Sequence, residues 1–121
     1  MAKIMIVDDS EAIRNLLKDM LLIGKHEVVA LAVDGIDAIE KFSTIKPDVI
    51  LLDVAMPKKD GLTTLKEIKK MNQNAKVIMI TVRDEMDMIQ DCVAAGALAY
   101  ITKPFVVDDV LKSISFAVKE N

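Results

Sequence analysis

The chain is 121 residues long, 52% hydrophobic and 29% charged, with a formal net charge of −3 and a pI near 5.1. This length suits a single domain, residues 1–121, able to bury roughly two thirds of its unfolded surface. The acidic balance excludes the basic footprint that sequence-independent nucleic-acid binding needs. The apolar runs fall short of the ~20 residues of a membrane span, and one cysteine allows neither an internal disulfide nor a cysteine metal cluster.

Strand-like sequence starts within three residues of Met1, so no signal peptide is expected and the cytoplasm is the expected location. Strand one covers about residues 3–8 and is apolar on both faces, as a buried central strand is. Ser10 can cap the first helix, which carries Ile13, Leu16, Leu17, Met20 and Leu21 at helical spacing and ends at Gly24. Strand two is about Val28–Val33, and Asp34-Gly35 turns the chain into a helix that buries Ala38, Ile39 and Phe42. Pro47 stops that helix before strand three, about residues 48–53.

Pro57 and the Asp60-Gly61 pair mark residues 54–61 as a loop. A third helix follows with Leu62, Leu65, Ile68 and Met71 on one stripe, then strand four at Lys76–Val82. The fourth helix runs from about Asp84 to Ala95 and stops at Gly96. It cannot bury all of Met86, Met88, Ile89, Cys92 and Val93, so some of them must face outward; Cys92 reads as a buried thiol. Strand five is Leu98–Thr102, and Lys103-Pro104 leads to a last helix with Val107, Val110, Leu111, Ile114 and Val118 inward. His26, in the turn before strand two, reads as a surface residue.

Five strands alternating with five helices predict an α/β fold, a doubly wound parallel sheet with right-handed crossovers and helices on both faces. A chain that winds first one way and then the other from strand one has strand order 2-1-3-4-5. Ligands bind at the carboxyl ends of such strands, at the point where the winding reverses. Asp8 and Asp9 end strand one, Asp53 ends strand three, and Lys103 follows strand five. Alone, Asp8 and Asp9 are ordinary turn residues and Lys103 a solvated strand end. An acid directly after the buried run Val49–Leu52 needs a reason to be there, and the convergence of these strand ends supplies one.

Three neighbouring carboxylates cannot all stay ionised unaided. A hard divalent cation such as Mg2+ relieves them, needing only one or two carboxylates besides water. Asp53 can then act as a nucleophile, as carboxylates do when they form aspartyl phosphate. The cation and Lys103 would stabilise the incoming phosphoryl oxygens. Thr81, near the end of strand four, could donate its hydroxyl to the same group, although a threonine in a strand is by itself unremarkable.

The chain carries Val-Asp-Asp-Ser at 7–10, Leu-Asp-Val-Ala-Met-Pro at 52–57, Asp-Gly at 60–61, Ile-Thr at 80–81, Gly-Ala at 96–97 and Lys-Pro-Phe at 103–105. In order and spacing it resembles the receiver domain of two-component response regulators, over essentially its whole length, and most of all the single-domain, CheY-like type. The resemblance implies a flavodoxin-like fold with the 2-1-3-4-5 order. It implies Asp53 as phosphoacceptor. Asp9, Asp53 and the backbone carbonyl of Ala55 would be Mg2+ ligands, with Asp8 acting through water. Lys103 would hold a phosphoryl oxygen, and its bond to Pro104 would be cis. Thr81 and Tyr100 would be the switch pair.

The resemblance also implies partners: a sensor histidine kinase or phosphotransfer protein as donor, acetyl phosphate as a small donor, and an output protein docked on helix four, strand five and helix five. Chemotaxis is one such pathway; a receiver or phosphorelay intermediate of a larger regulator is the alternative. The last helix holds Lys112 and Lys119 but no arginine, which speaks for a monomer when activated.

Some positions depart from the family pattern. Val82 stands where a small residue is usual. Ala55 and Arg83 occupy the positions that tune phosphoryl lifetime. Two other classes fit less well. A haloacid-dehalogenase-type phosphatase needs an acid two residues beyond its nucleophile, where this chain has Ala55. A flavodoxin needs a hydroxyl-rich phosphate loop and aromatic rings, whereas this loop is acidic and aromatics are 3%. The expectation is a signalling switch and not a turnover enzyme.

Overall fold

The computed structural model describes residues 1–119, with the backbone alone for Asp84 and Met86. The elements alternate as β1 (Lys3–Val7), α1 (Glu11–Ile23), β2 (Glu27–Ala32), α2 (Gly35–Ile45), β3 (Val49–Asp53), α3 (Gly61–Met71), β4 (Val77–Val82), α4 (Met86–Ala94), β5 (Ala99–Lys103) and α5 (Val107–Lys119). All strand pairs are parallel and the order is β2-β1-β3-β4-β5, as expected from the sequence.

The period of two along each strand divides the core. Met5, Val7, Ile50, Leu52 and Met79 pack with Ala38 and Phe42 of α2, Leu65 and Ile68 of α3, and Ile89 and Cys92 of α4. Ile4, Ile6, Leu51, Ile78 and Ile80 pack with Leu17 and Leu21 of α1 and Val110 and Ile114 of α5. The central strands are apolar on both faces because helices cover both. Full burial of each such side chain is worth about 1.5–3 kcal/mol. Three helices start on side-chain caps: Ser10 accepts from Ile13 N at 3.3 Å, Asp34 from Asp37 N at 2.8 Å, and Asp60 from Thr63 N at 2.7 Å.

Several local expectations are corrected. Gly24 caps α1 with φ −80°, so the left-handed turn is not its task; Lys25 takes that conformation with φ 62°. Gly24 is instead a close-approach residue, since a Cβ there would lie 2.4 Å from a Leu111 methyl of α5. Leu16, Met71 and Val118, expected inward, are exposed, because each lies at the edge of an apolar stripe wider than the face its helix can bury. The fourth helix begins two residues late, after a 3-10 turn at Arg83–Glu85. On α4, Ile89 and Cys92 are buried and Val93 faces outward; the expectations for the side chains of Asp84 and Met86 lie outside the described residues. His26 is half-buried, and its Nδ1 accepts the Ala2 amide at 3.1 Å, pinning the start of β1. No helix among the described residues is long and apolar enough to cross a membrane.

Candidate functional site

β1 and β3 are neighbours, with Val7 paired to Leu52, so Asp8 and Asp53 emerge side by side one step beyond the pair. Alternation decides where they point. Asp8 continues the parity of Ile4 and Ile6, Asp53 that of Val49 and Leu51, and Lys103 that of Ile101, so all three share one side of the sheet. The Lys103 ammonium lies 3.3 Å from Asp8 Oδ2 and 3.5 Å from Asp53 Oδ1. Asp8 and Asp53 are buried and Asp9 is exposed; each of the three offers a carboxylate oxygen, all within 4.8 Å of one another. The Lys103–Pro104 bond is cis, as the resemblance implied.

The electrostatics follow from this crowding. Burial, reinforced by the Asp8 carboxylate, pushes the Asp53 pKa up to about 7 from an ordinary 3.8, and the Lys103 ammonium only partly opposes it. A buried acid at a strand end, short of positive charge and flanked by two more hard oxygen donors, is a donor set that suits a small divalent cation.

The backbone around this cluster is braced. The Ser10 amide donates to Asp8 Oδ1 at 2.9 Å, and the Arg14 guanidinium donates to the Asp8 carbonyl at 2.6 Å. Sequence reasoning missed Arg14. Its signal was a cation one turn into the helix that follows the aspartate pair. Gly61 donates its amide to the Val54 carbonyl at 2.8 Å, and a Cβ at this position would lie 2.3 Å from the Asp53 carbonyl. The Asp60-Gly61 pair therefore does more than punctuate the loop: it lets α3 start directly against the end of β3. Ala55 lies exposed in the same loop.

Thr81 is buried and follows the opposite parity, that of Val77 and Met79. Its hydroxyl donates to the Val82 carbonyl at 3.1 Å. Tyr100 pairs with Met79 across β4 and β5, which puts it on the same face as Thr81, and it is 45% exposed. Thus Asp8, Asp9, Asp53 and Lys103 are gathered together, while Thr81, near the end of β4, and Tyr100, the second residue of β5, stand diagonally to each other on the opposite face.

Comparison with known proteins gives this arrangement its family. A model of the response regulator receiver domain matches residues 4–115. The chain belongs to the response regulator receiver family. Among relatives of this receiver, the chemotaxis protein CheY of Bacillus subtilis is 42% identical over 113 residues, 93% of this chain and 94% of that protein. CheY of Halobacterium salinarum is 39% identical over 116 residues, 95% of this chain and 96% of that protein. A receiver domain from Clostridium thermocellum superposes with a TM-score of 0.92 at 31% identity, covering 98% of this chain and 94% of that one. CheY in the CheX–CheY–BeF3–Mg2+ complex of Borrelia burgdorferi superposes with a TM-score of 0.88 at 32% identity, covering 93% of this chain and 85% of that one. The receiver fold and the CheY-like type expected from the motifs are both present.

Proposed function

We propose that this receiver is a phosphorylation switch whose acceptor is Asp53, and that it signals by docking a partner protein. The observation that carries this reading is the position of Asp53: buried, ringed by Asp8 and Asp9, and faced by the ammonium of Lys103. Asp9, Asp53 and the Ala55 carbonyl would hold Mg2+, with Asp8 acting through water. Bound there, the cation would supply positive charge against the phosphoryl oxygens.

The chain's own groups perform the transfer. An Asp53 carboxylate oxygen attacks the phosphorus of a phosphohistidine on a sensor kinase or phosphotransfer protein. The new P–O bond forms as the P–N bond breaks, and the electron pair returns to the imidazole nitrogen. Acetyl phosphate serves equally, with acetate leaving. Lys103 moves from its two carboxylates toward a phosphoryl oxygen and holds it. The Thr81 hydroxyl exchanges the Val82 carbonyl for another phosphoryl oxygen, and Tyr100 turns inward behind it. The Thr81 hydroxyl bond to the Val82 carbonyl and the outward position of Tyr100 support this reading.

The output surface is then α4, β5 and α5. Val93, Tyr100, Val106 and Phe116 are exposed apolar side chains on or beside these elements. Asp87 and Asp91 on α4 add negative charge, which suits a partner with basic residues around an apolar centre. The two CheY relatives fit a place in chemotaxis. The protein is a switch and not a turnover enzyme, and the cytoplasm is where a kinase-fed switch would act.

Incubation with acetyl phosphate and Mg2+ tests the assignment. Wild type should take up one phosphoryl group and Asp53→Asn none. Uptake by Asp53→Asn at the wild-type level would overturn it.

A further inference from the structure

The loop between β3 and α3 carries Ala55 and is strained. Lys58 sits there at φ 68°, a left-handed conformation that lysine rarely adopts. A strained residue persists where its surroundings hold it. Two helices do so here. On the α3 side, Lys59 Nζ donates to both carboxylate oxygens of Glu67, at 2.7 and 2.6 Å. On the α2 side, Gly35 packs so closely that a Cβ there would meet the Lys59 carbonyl at 2.8 Å. On that side, too, the Lys58 ammonium lies 3.7 Å from Asp34 Oδ2.

Asp34 is well suited to this task. It is 7% exposed, and its other oxygen caps α2 by accepting from Asp37 N at 2.8 Å. The cap bond fixes the direction of the carboxylate. One oxygen is therefore tied to α2, while the other faces the loop that leaves the phosphoacceptor strand.

We propose that Asp34 and Lys58 form a latch that holds this loop in its strained turn, and so sets the position of the Ala55 carbonyl at the acidic cluster. Both are positioning residues. The inference rests on the reading of Asp9, Asp53 and Ala55 as a divalent-cation site. It extends that site to α2: anything that shifts the start of α2 changes cation affinity, and cation binding in turn steadies the start of α2.

Charge and position act oppositely at Lys58, which makes the latch testable. Removing a nearby positive charge should by itself strengthen cation binding. Losing the latch should weaken it. Mn2+ binding, followed by electron paramagnetic resonance at 0.15 M salt, reads the site directly without any phosphoryl transfer. Lys58→Met should bind Mn2+ about two- to fivefold more weakly, the scale of one surface ion pair whose lysine is largely exposed. Asp34→Asn, which keeps a good helix cap, should lose a similar factor. Lys58→Arg should retain wild-type affinity, and the double variant should lose no more than either single one. Unchanged or tighter binding in Lys58→Met would overturn the latch, as would additive losses in the double variant. Asp9→Ala is the control for the site itself. If it binds Mn2+ as wild type does, the cation reading fails; if it alone loses binding, only the latch fails.

Discussion

The Lys103 ammonium stands 3.5 Å from the Asp53 carboxylate across 50 residues of chain, and it divides its charge with Asp8 at 3.3 Å. A cation shared at these distances makes no short bond with either partner. It therefore moderates the crowding of the acids without cancelling it.

Lys103→Met should accordingly do two things. The Asp53 pKa should move upward from its value of about 7, because the one opposing charge among its causes is gone. Phosphoryl uptake from acetyl phosphate should slow by about 100-fold, the usual cost of losing one preorganised charge contact. A carbon-13 titration of the Asp53 carboxyl reads the first and a uptake time course the second. An unmoved titration would mean that Lys103 is not paired with Asp53 in solution.

Asp53 also makes stability depend on pH. Its pKa is about 7 in the fold and near 3.8 when exposed, so the native state binds the proton more tightly. Its contribution favours folding fully below about pH 4 and is lost as pH rises through about 7. In chelator, Asp53→Asn should thus gain on wild type with rising pH. The gap in melting temperature should widen steadily between about pH 4.5 and pH 7 and level off above it, because the slope vanishes once the native-state carboxyl has lost its proton. Mg2+ at ten times its dissociation constant should return about 1.4 kcal/mol to wild type at pH 8. A gap constant with pH would show that Asp53 is not desolvated.

Gly61→Ala places a methyl group 2.3 Å from the Asp53 carbonyl, against backbone that cannot rotate away. The loss should be about 2–3 kcal/mol by urea unfolding, the upper range for overpacking. It should come with a disturbed Asp53 amide resonance. A loss below about 0.5 kcal/mol would mean that β3 and α3 separate easily.

Activation should leave the protein a monomer. α5 offers Lys112 and Lys119 and no arginine, and lysine cannot replace arginine in bidentate pairing with carboxylates across a receiver dimer. Light scattering with beryllofluoride and Mg2+ should give the mass of one chain. A shift to twice that mass would make self-association the output and displace the docking of a different protein.

Much of this was legible from residues alone. Apolar runs such as Val49–Leu52 must be buried on both faces, and turns such as Asp34-Gly35 and Asp60-Gly61 punctuate them, so periodicity and turn chemistry give the alternation of strands and helices. A charged residue after a buried run marks a strand end, which singled out Asp8, Asp53 and Lys103. These are local properties, set by backbone preference and by the cost of burying a charge. The tertiary structure decided what depends on distances between segments far apart in the chain. The same pleat turned Asp8, Asp53 and Lys103 to one side and Thr81 to the other. Gly24 and Gly61 are required by the close approach of Leu111 and of the Asp53 carbonyl, which no local pattern encodes. His26 on Ala2 and Lys58 beside Asp34 are side chains whose partners depend on how helices and loops pack over the sheet, and packing is settled only when the whole core closes.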